Sequence, residues 1–172
     1  RILYDRWEYV DRNFGDAQGL WVVNPDGTVH AIFYGNNTAS PGGVIDARQI
    51  PGSHKVICVF GSCHDRPWGA LAILDRNKGV DGAEPVDHIW PASARDLIGV
   101  GNGDAFTKVR PRYEDPFPLA DPKTNAGAGR YFLCSRTVKG NDERTGIYLI
   151  DTAGEDSLVY EAPNGMGCYD PM

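Results

Sequence analysis

The 172-residue chain has no apolar stretch near the roughly 18–20 residues that a membrane-crossing helix requires, so no membrane span is expected. It has no surplus of positive charge. Seventeen Lys and Arg stand against 23 Asp and Glu, giving a formal net charge of -6, and no basic cluster offsets that average. A nucleic-acid partner is therefore not expected. Several catalytic signatures are missing as well: no Gly-x-Ser-x-Gly elbow, no His-Glu-x-x-His and no Cys-x-x-Cys-His occur. Gly99-x-Gly101-x-Gly103 lacks the strand-to-helix setting of a nucleotide loop. The first residue is not Met and no signal peptide is present. The chain opens on the strand-like Ile2-Leu3-Tyr4 and closes on Asp170-Pro171-Met172, and both ends read as cuts through a longer polypeptide.

What is present points to strands and turns. Hydrophobic residues make up 41% and charged residues 23%, an ordinary globular balance for one domain, or for two if both are small. The 21 glycines and 12 prolines suit many tight turns, and the Tyr and Trp content suits strands.

A repeat organises these residues. Its core is a small residue, four mostly apolar residues, then Asn or Asp and a Gly-containing turn. It occurs as Gly19-Leu20-Trp21-Val22-Val23-Asn24, as Ala70-Leu71-Ala72-Ile73-Leu74-Asp75 and as Gly146-Ile147-Tyr148-Leu149-Ile150-Asp151. Strand-like runs precede each copy (Ile2–Trp7, Lys55–Phe60, Arg130–Cys134) and follow each copy (Val29–Tyr34, Val86–Trp90, Ser157–Tyr160). A weaker first element reads Ile45–Ile50 and Tyr113–Phe117, and Cys168–Met172 reads as the start of one more.

Four short antiparallel strands per unit make a propeller blade. The near-continuous apolar runs are those of strands buried on both faces, as stacked blades require. The expected fold is therefore all-β: a β-propeller of four-stranded blades, with blades at about 1–40, 44–92 and 113–163, another beginning at 168–172, and an insert at 93–112. Three blades fall short of the four to eight that close a propeller, so neighbouring domains or subunits are expected to complete it. Within the insert, Ala92–Ile98 reads as a short helical turn that Ser93 caps, and long inserts are a usual place for binding.

Chemistry concentrates in Cys58-Val59-Phe60-Gly61-Ser62-Cys63-His64-Asp65-Arg66-Pro67-Trp68-Gly69, a hairpin between two inner strands. Three readings compete for it. Cys58 and Cys63-His64 are candidates for covalent haem, although four residues rather than two separate the thiols. Cys63 and His64 are candidate zinc ligands, although neighbours on an extended strand point to opposite faces. In the third reading His64, Asp65 and Arg66 form a polar network and Trp68 packs between blades, which makes His64, Asp65, Arg66 and Trp68 an interaction cluster. No catalytic residue is assigned. The four cysteines permit two disulfides, while buried free thiols are the plainer alternative. Asp81, Glu84 and Asp87 form an acidic edge that is a weak calcium candidate.

The run Cys63–Leu71 resembles the propeller domain of the hydrazine synthase alpha subunit family. So do Asn24-Pro25-Asp26-Gly27-Thr28 with Tyr34-Gly35-Asn36, Arg48–Ser53, Tyr131–Ser135 and Gly146–Asp151. The resemblance implies a six-bladed, TolB-like propeller in an exported, periplasmic setting, beside cytochrome c-like domains that carry c-type haem. It leads to the expectation of a non-catalytic scaffold within a redox-linked protein. The alternatives are part of a metal- or haem-containing oxidoreductase site at the Cys63–Trp68 hairpin, and a TolB-like protein- or glycan-binding module.

Overall fold

The computed structural model describes residues 1–8, 10–11, 18–140 and 143–172. The fold is all-β and antiparallel, with eleven strands among the described residues. They fall into three consecutive meanders. The first is β1 (Ile2–Trp7), β2 (Gln18–Val23) and β3 (Ala31–Gly35). The second is β4 (Gly43–Gln49), β5 (Val56–Gly61), β6 (Gly69–Leu74) and β7 (Val86–Trp90). The third is β8 (Tyr113–Leu119), β9 (Tyr131–Thr137), β10 (Thr145–Asp151) and β11 (Asp156–Tyr160). Each strand lies within about two residues of a run expected from the sequence, except β9, which continues three residues beyond Cys134 to Thr137.

The turns explain why the strands reverse where they do. After β2, the N–H of Gly27 donates to the carbonyl of Asn24, Gly27 takes φ 82°, and Asp26 Oδ1 accepts from the backbone and hydroxyl of Thr28. After β10, Asp151 Oδ1 accepts from the N–H groups of Ala153 and Glu155. After β6, Asp75 Oδ1 accepts from Asn77 N–H. The Asx that ends the repeat core holds the turn in the second and third copies, and Asp26, two residues after Asn24, does so in the first.

Every residue of β5 and β6 is buried. Alternation sends Val56, Cys58, Phe60, Ala70, Ala72 and Leu74 into one core, shared with Leu20, Phe33 and Tyr34 of the first meander. It sends Ile57, Leu71 and Ile73 into a second core, shared with Tyr113, Phe132, Cys134, Tyr148 and Ile150 of the third. The three meanders therefore stack in chain order, with the middle one covered on both sides. Tyr34 stacks on Phe60 at 5.4 Å between ring centroids, and Phe106 meets Phe60 edge-on at 5.8 Å. The second and third meanders also touch edge to edge, through the single pairing of Gly69 with Tyr113.

The segment between β7 and β8 is part of the packing rather than a surface excursion. Ala94, Phe106 and Val109 are buried in the first core. Ser40 Oγ donates to Leu97 O at 2.5 Å and accepts from Val100 N–H. A short 3-10 helix does run over Ala92–Leu97, but Ser93 does not cap it: Pro91 occupies the cap position and no side chain bonds there. The helical turn begins two residues earlier than a Ser93 cap requires.

Fully burying a Leu or Ile side chain contributes about 1.5–3 kcal/mol, so the two-sided packing of β5 and β6 dominates stability. Leu71→Ala, at 0% exposure, is expected to cost about 2–5 kcal/mol by urea denaturation. Val159→Ala, at 59% exposure on β11, is expected to change stability by less than about 0.5 kcal/mol.

Candidate functional site

The β5–β6 hairpin projects from the stack where the insert folds back on it. Cys63 N–H donates to Gly103 O at 3.0 Å, and a Cβ on Gly42 would lie 2.0 Å from that same oxygen, so only glycine fits there. Cys63 is half-buried. Its Sγ donates to Gly42 O at 3.4 Å and accepts from Gln18 Nε2 at 3.5 Å. Burial and the nearby Asp104 carboxylate push its thiol above the ordinary range. His64 turns the other way. Its backbone N–H donates to Asp104 Oδ1 at 3.0 Å, and its exposed ring pairs through Nδ1 with Asp104 Oδ2 at 2.9 Å. His64 in turn holds the Asp104 carboxyl below its usual value.

Cys58 lies elsewhere. It is fully buried at the middle of β5, facing the first meander, and donates weakly to Ala72 O at 3.7 Å. Burial pushes its thiol far up. Cys134 holds the matching place in β9, paired with Tyr148 as Cys58 is with Ala72. All four cysteines are free thiols.

A thiol sealed between two sheets cannot reach a haem vinyl group, so Cys58 does not fit haem attachment. Cys63 and His64 engage different partners, and among the described residues no group of three or more His, Cys, Asp or Glu side chains is arranged for a metal ion. The pair alone does not make a zinc site. The acidic edge divides too: Asp81 accepts from Asn37 and Thr38, whereas Asp87 pairs with Lys55 and Lys78.

Arg66 and Trp68 carry the densest interactions. Trp68 is buried, with the Arg66 guanidinium 4.6 Å and the Arg112 guanidinium 4.2 Å from its ring centre. Arg66 Nη2 also donates to Glu114 Oε1 at 2.6 Å and lies over Tyr169 at 4.9 Å. Asp65 Oδ1 accepts from Arg66 N–H. The chain therefore knots residues from β8 and from 169 onto the hairpin. Neither Glu114 nor Tyr169 was marked by the sequence; the available signal was a charged residue within the strand-like run Tyr113–Phe117.

A scan against protein-family models finds no match to this chain, and searches of curated proteins and of solved structures find none either.

Glu114 is 4% exposed, and burial pushes its carboxyl up to about 7 despite the opposing pull of Arg66. The folded value exceeds the ordinary 4.5, so the folded state holds the proton more tightly. Its stabilising contribution is complete below pH 4.5 and is lost as pH rises through 7. Relative to Glu114→Gln, the wild type is expected to lose about 3 kcal/mol across that window, measured by urea denaturation at a series of pH values.

Proposed function

We propose that this chain is a non-catalytic β-propeller segment that acts as a scaffold, organising partner domains within an exported, redox-linked protein of the hydrazine synthase alpha type. One observation carries the scaffold reading: a four-stranded meander is sealed on both faces by its own neighbours, as a blade is by adjacent blades. The repeated Asx turns and the shared register of β1, β5 and β9 support the same reading. The exported setting and the cytochrome c-like neighbours rest on the resemblance of Cys63–Leu71 and the other quoted runs alone.

Within this reading the Cys63–Trp68 hairpin is a fixed polar surface rather than a reaction centre. His64 presents an exposed imidazole held by Asp104, and Arg66 is half-buried between Trp68, Glu114 and Tyr169. Such a surface recognises a partner by shape and charge. For the alternative, a metal- or haem-dependent oxidoreductase site at this hairpin, no third ligand stands with Cys63 and His64 among the described residues, and Cys58 is fully buried.

The discriminating experiment is a visible absorption spectrum with elemental analysis, on the wild type and Cys63→Ser. The scaffold reading expects no Soret band, no stoichiometric zinc and a stability change below about 1 kcal/mol in the variant. A Soret band or one equivalent of zinc, lost in Cys63→Ser, overturns it.

A further inference from the structure

The chain carries 17 Lys and Arg against 23 Asp and Glu, yet its fold gathers cations along one groove. The groove lies between the end of the 93–112 insert and the β9–β10 hairpin. Two contacts close that junction. Thr137 N–H donates to Arg112 O at 3.0 Å, and Arg112 N–H donates to Thr137 Oγ1 at 3.0 Å. They set Arg110 and Pro111 beside Val138 and Lys139, around a cavity of about 410 Å³. A second cavity, of about 300 Å³, lies against Ala94, Leu97 and Lys108. Arg110 is the wall common to both, and the whole lining comes from residues 91–156.

The cations hold distinct places. Val109 is buried in the first core, while Lys108 and Arg110 on either side of it are exposed. Arg110 Nη1 donates to the carbonyls of Val109 at 2.7 Å and Thr107 at 2.9 Å, which fixes its guanidinium at the dividing wall. Lys139 stands exposed at the β9–β10 turn. Among the described residues, neither Lys108 nor Lys139 pairs with a carboxylate. Arg136 adds a fourth positive charge. Asp156, bonded to Arg136 Nη2 at 2.8 Å, is the one carboxylate among the lining residues. Four cations against one carboxylate reverse the sign of the chain's net charge of -6.

That arrangement selects a partner by its chemistry. Like charges gathered at an exposed groove repel one another and add nothing to folding, whereas carboxylates brought by a partner relieve the repulsion. The cations divide between two adjoining cavities, so a single small oxyanion reaches only some of them. An extended peptide presents alternate side chains on one face, about 6–7 Å apart, and reaches both cavities with successive acidic residues. Leu97, Val109, Pro111 and Val138 give such a segment an apolar floor. A long polyanion such as a nucleic acid continues past the groove onto a surface of net negative charge, which repels it.

We propose that this groove binds a short segment, rich in Glu or Asp, of a partner domain. Such a partner belongs to the scaffold reading, on which this inference rests. The Arg112 guanidinium lies 4.2 Å from the Trp68 ring centre, so the groove and the Cys63–Trp68 hairpin stand side by side on one rim.

Fluorescence anisotropy of a fluorescein-labelled hexaglutamate peptide, titrated with the full chain, tests the assignment. Binding is expected at low salt and is expected to weaken as sodium chloride is added. Lys108→Glu and Lys139→Glu are each expected to weaken it roughly three- to tenfold, because each loses one exposed ion pair and gains one repulsion. Lys123→Glu, at an exposed lysine on the β8–β9 loop, makes the same change in net charge and is expected to leave binding unchanged. All three variants are expected to keep the wild-type far-UV circular dichroism spectrum. Absence of hexaglutamate binding, an equal loss in Lys123→Glu, or tighter binding of a labelled oligothymidylate of the same length overturns the acidic-segment site. Those outcomes leave the scaffold reading standing, since that reading falls with haem or metal uptake.

Discussion

Everything in this molecule depends on the burial of β5 and β6 on both faces. A sheet that is polar on one side can end a structure, but a sheet apolar on both sides must be covered twice. Val56, Cys58 and Phe60 require one neighbour, and Ile57, Leu71 and Ile73 require another. Once those neighbours are themselves meanders, of three strands on one side and four on the other, the stack is set, and the chain has only to turn back at each Asx–Gly segment to build it. The insert obeys the same constraint: Phe106 and Val109 complete the first core, so the segment is held by packing and not by its own helical propensity.

Apolar packing is not directional, and it cannot by itself fix how one meander slides on the next. The polar contacts do that. The Asp46, Asp115 and Asp170 chain links successive first strands, and Gly69 pairs with Tyr113 at one defined point. A left-handed Asp is tolerated because its short side chain bonds local backbone, and here that side chain bonds the next repeat instead. The Arg66–Glu114 pair belongs to the same class. Desolvating Glu114 costs more than Arg66 returns, as its raised pKa shows, so the pair serves to specify position more than to add stability.

The strands were legible because their determinants are local. Apolar runs of five or six residues, bounded by Asn, Asp and Gly, located ten of the eleven described strands to within about two residues and β9 to within three. The correspondence of Cys58 with Cys134 followed from the same alignment, and the pairing register agrees with it. The site was less legible because its determinants are not local. His64 finds Asp104 forty residues away, and Arg66 finds Glu114 forty-eight residues away. Adjacency made Cys63 and His64 look like a ligand pair, yet the backbone sends them to Gly42 and Asp104 respectively. Ser93 had the chemistry of a cap but sat inside the turn, where Pro91 already fixed the start.

The distribution of polar groups bears on what the hairpin is for. Ser62 Oγ, Asp65 Oδ2 and Trp68 Nε1 are buried without hydrogen-bond partners among the described residues, and all three lie within seven positions of one hairpin. Each such group costs about 1–3 kcal/mol. The twelve-residue length of β5 and β6 contributes none, because its side chains are almost wholly apolar. Arg136 Nε, on β9, is another such atom, so the hairpin shares this chemistry with the strands; it is also the rim where His64 is exposed and two arginines flank a tryptophan. Folding stability gains nothing from these unpaired groups, whereas the proposed partner surface would use them.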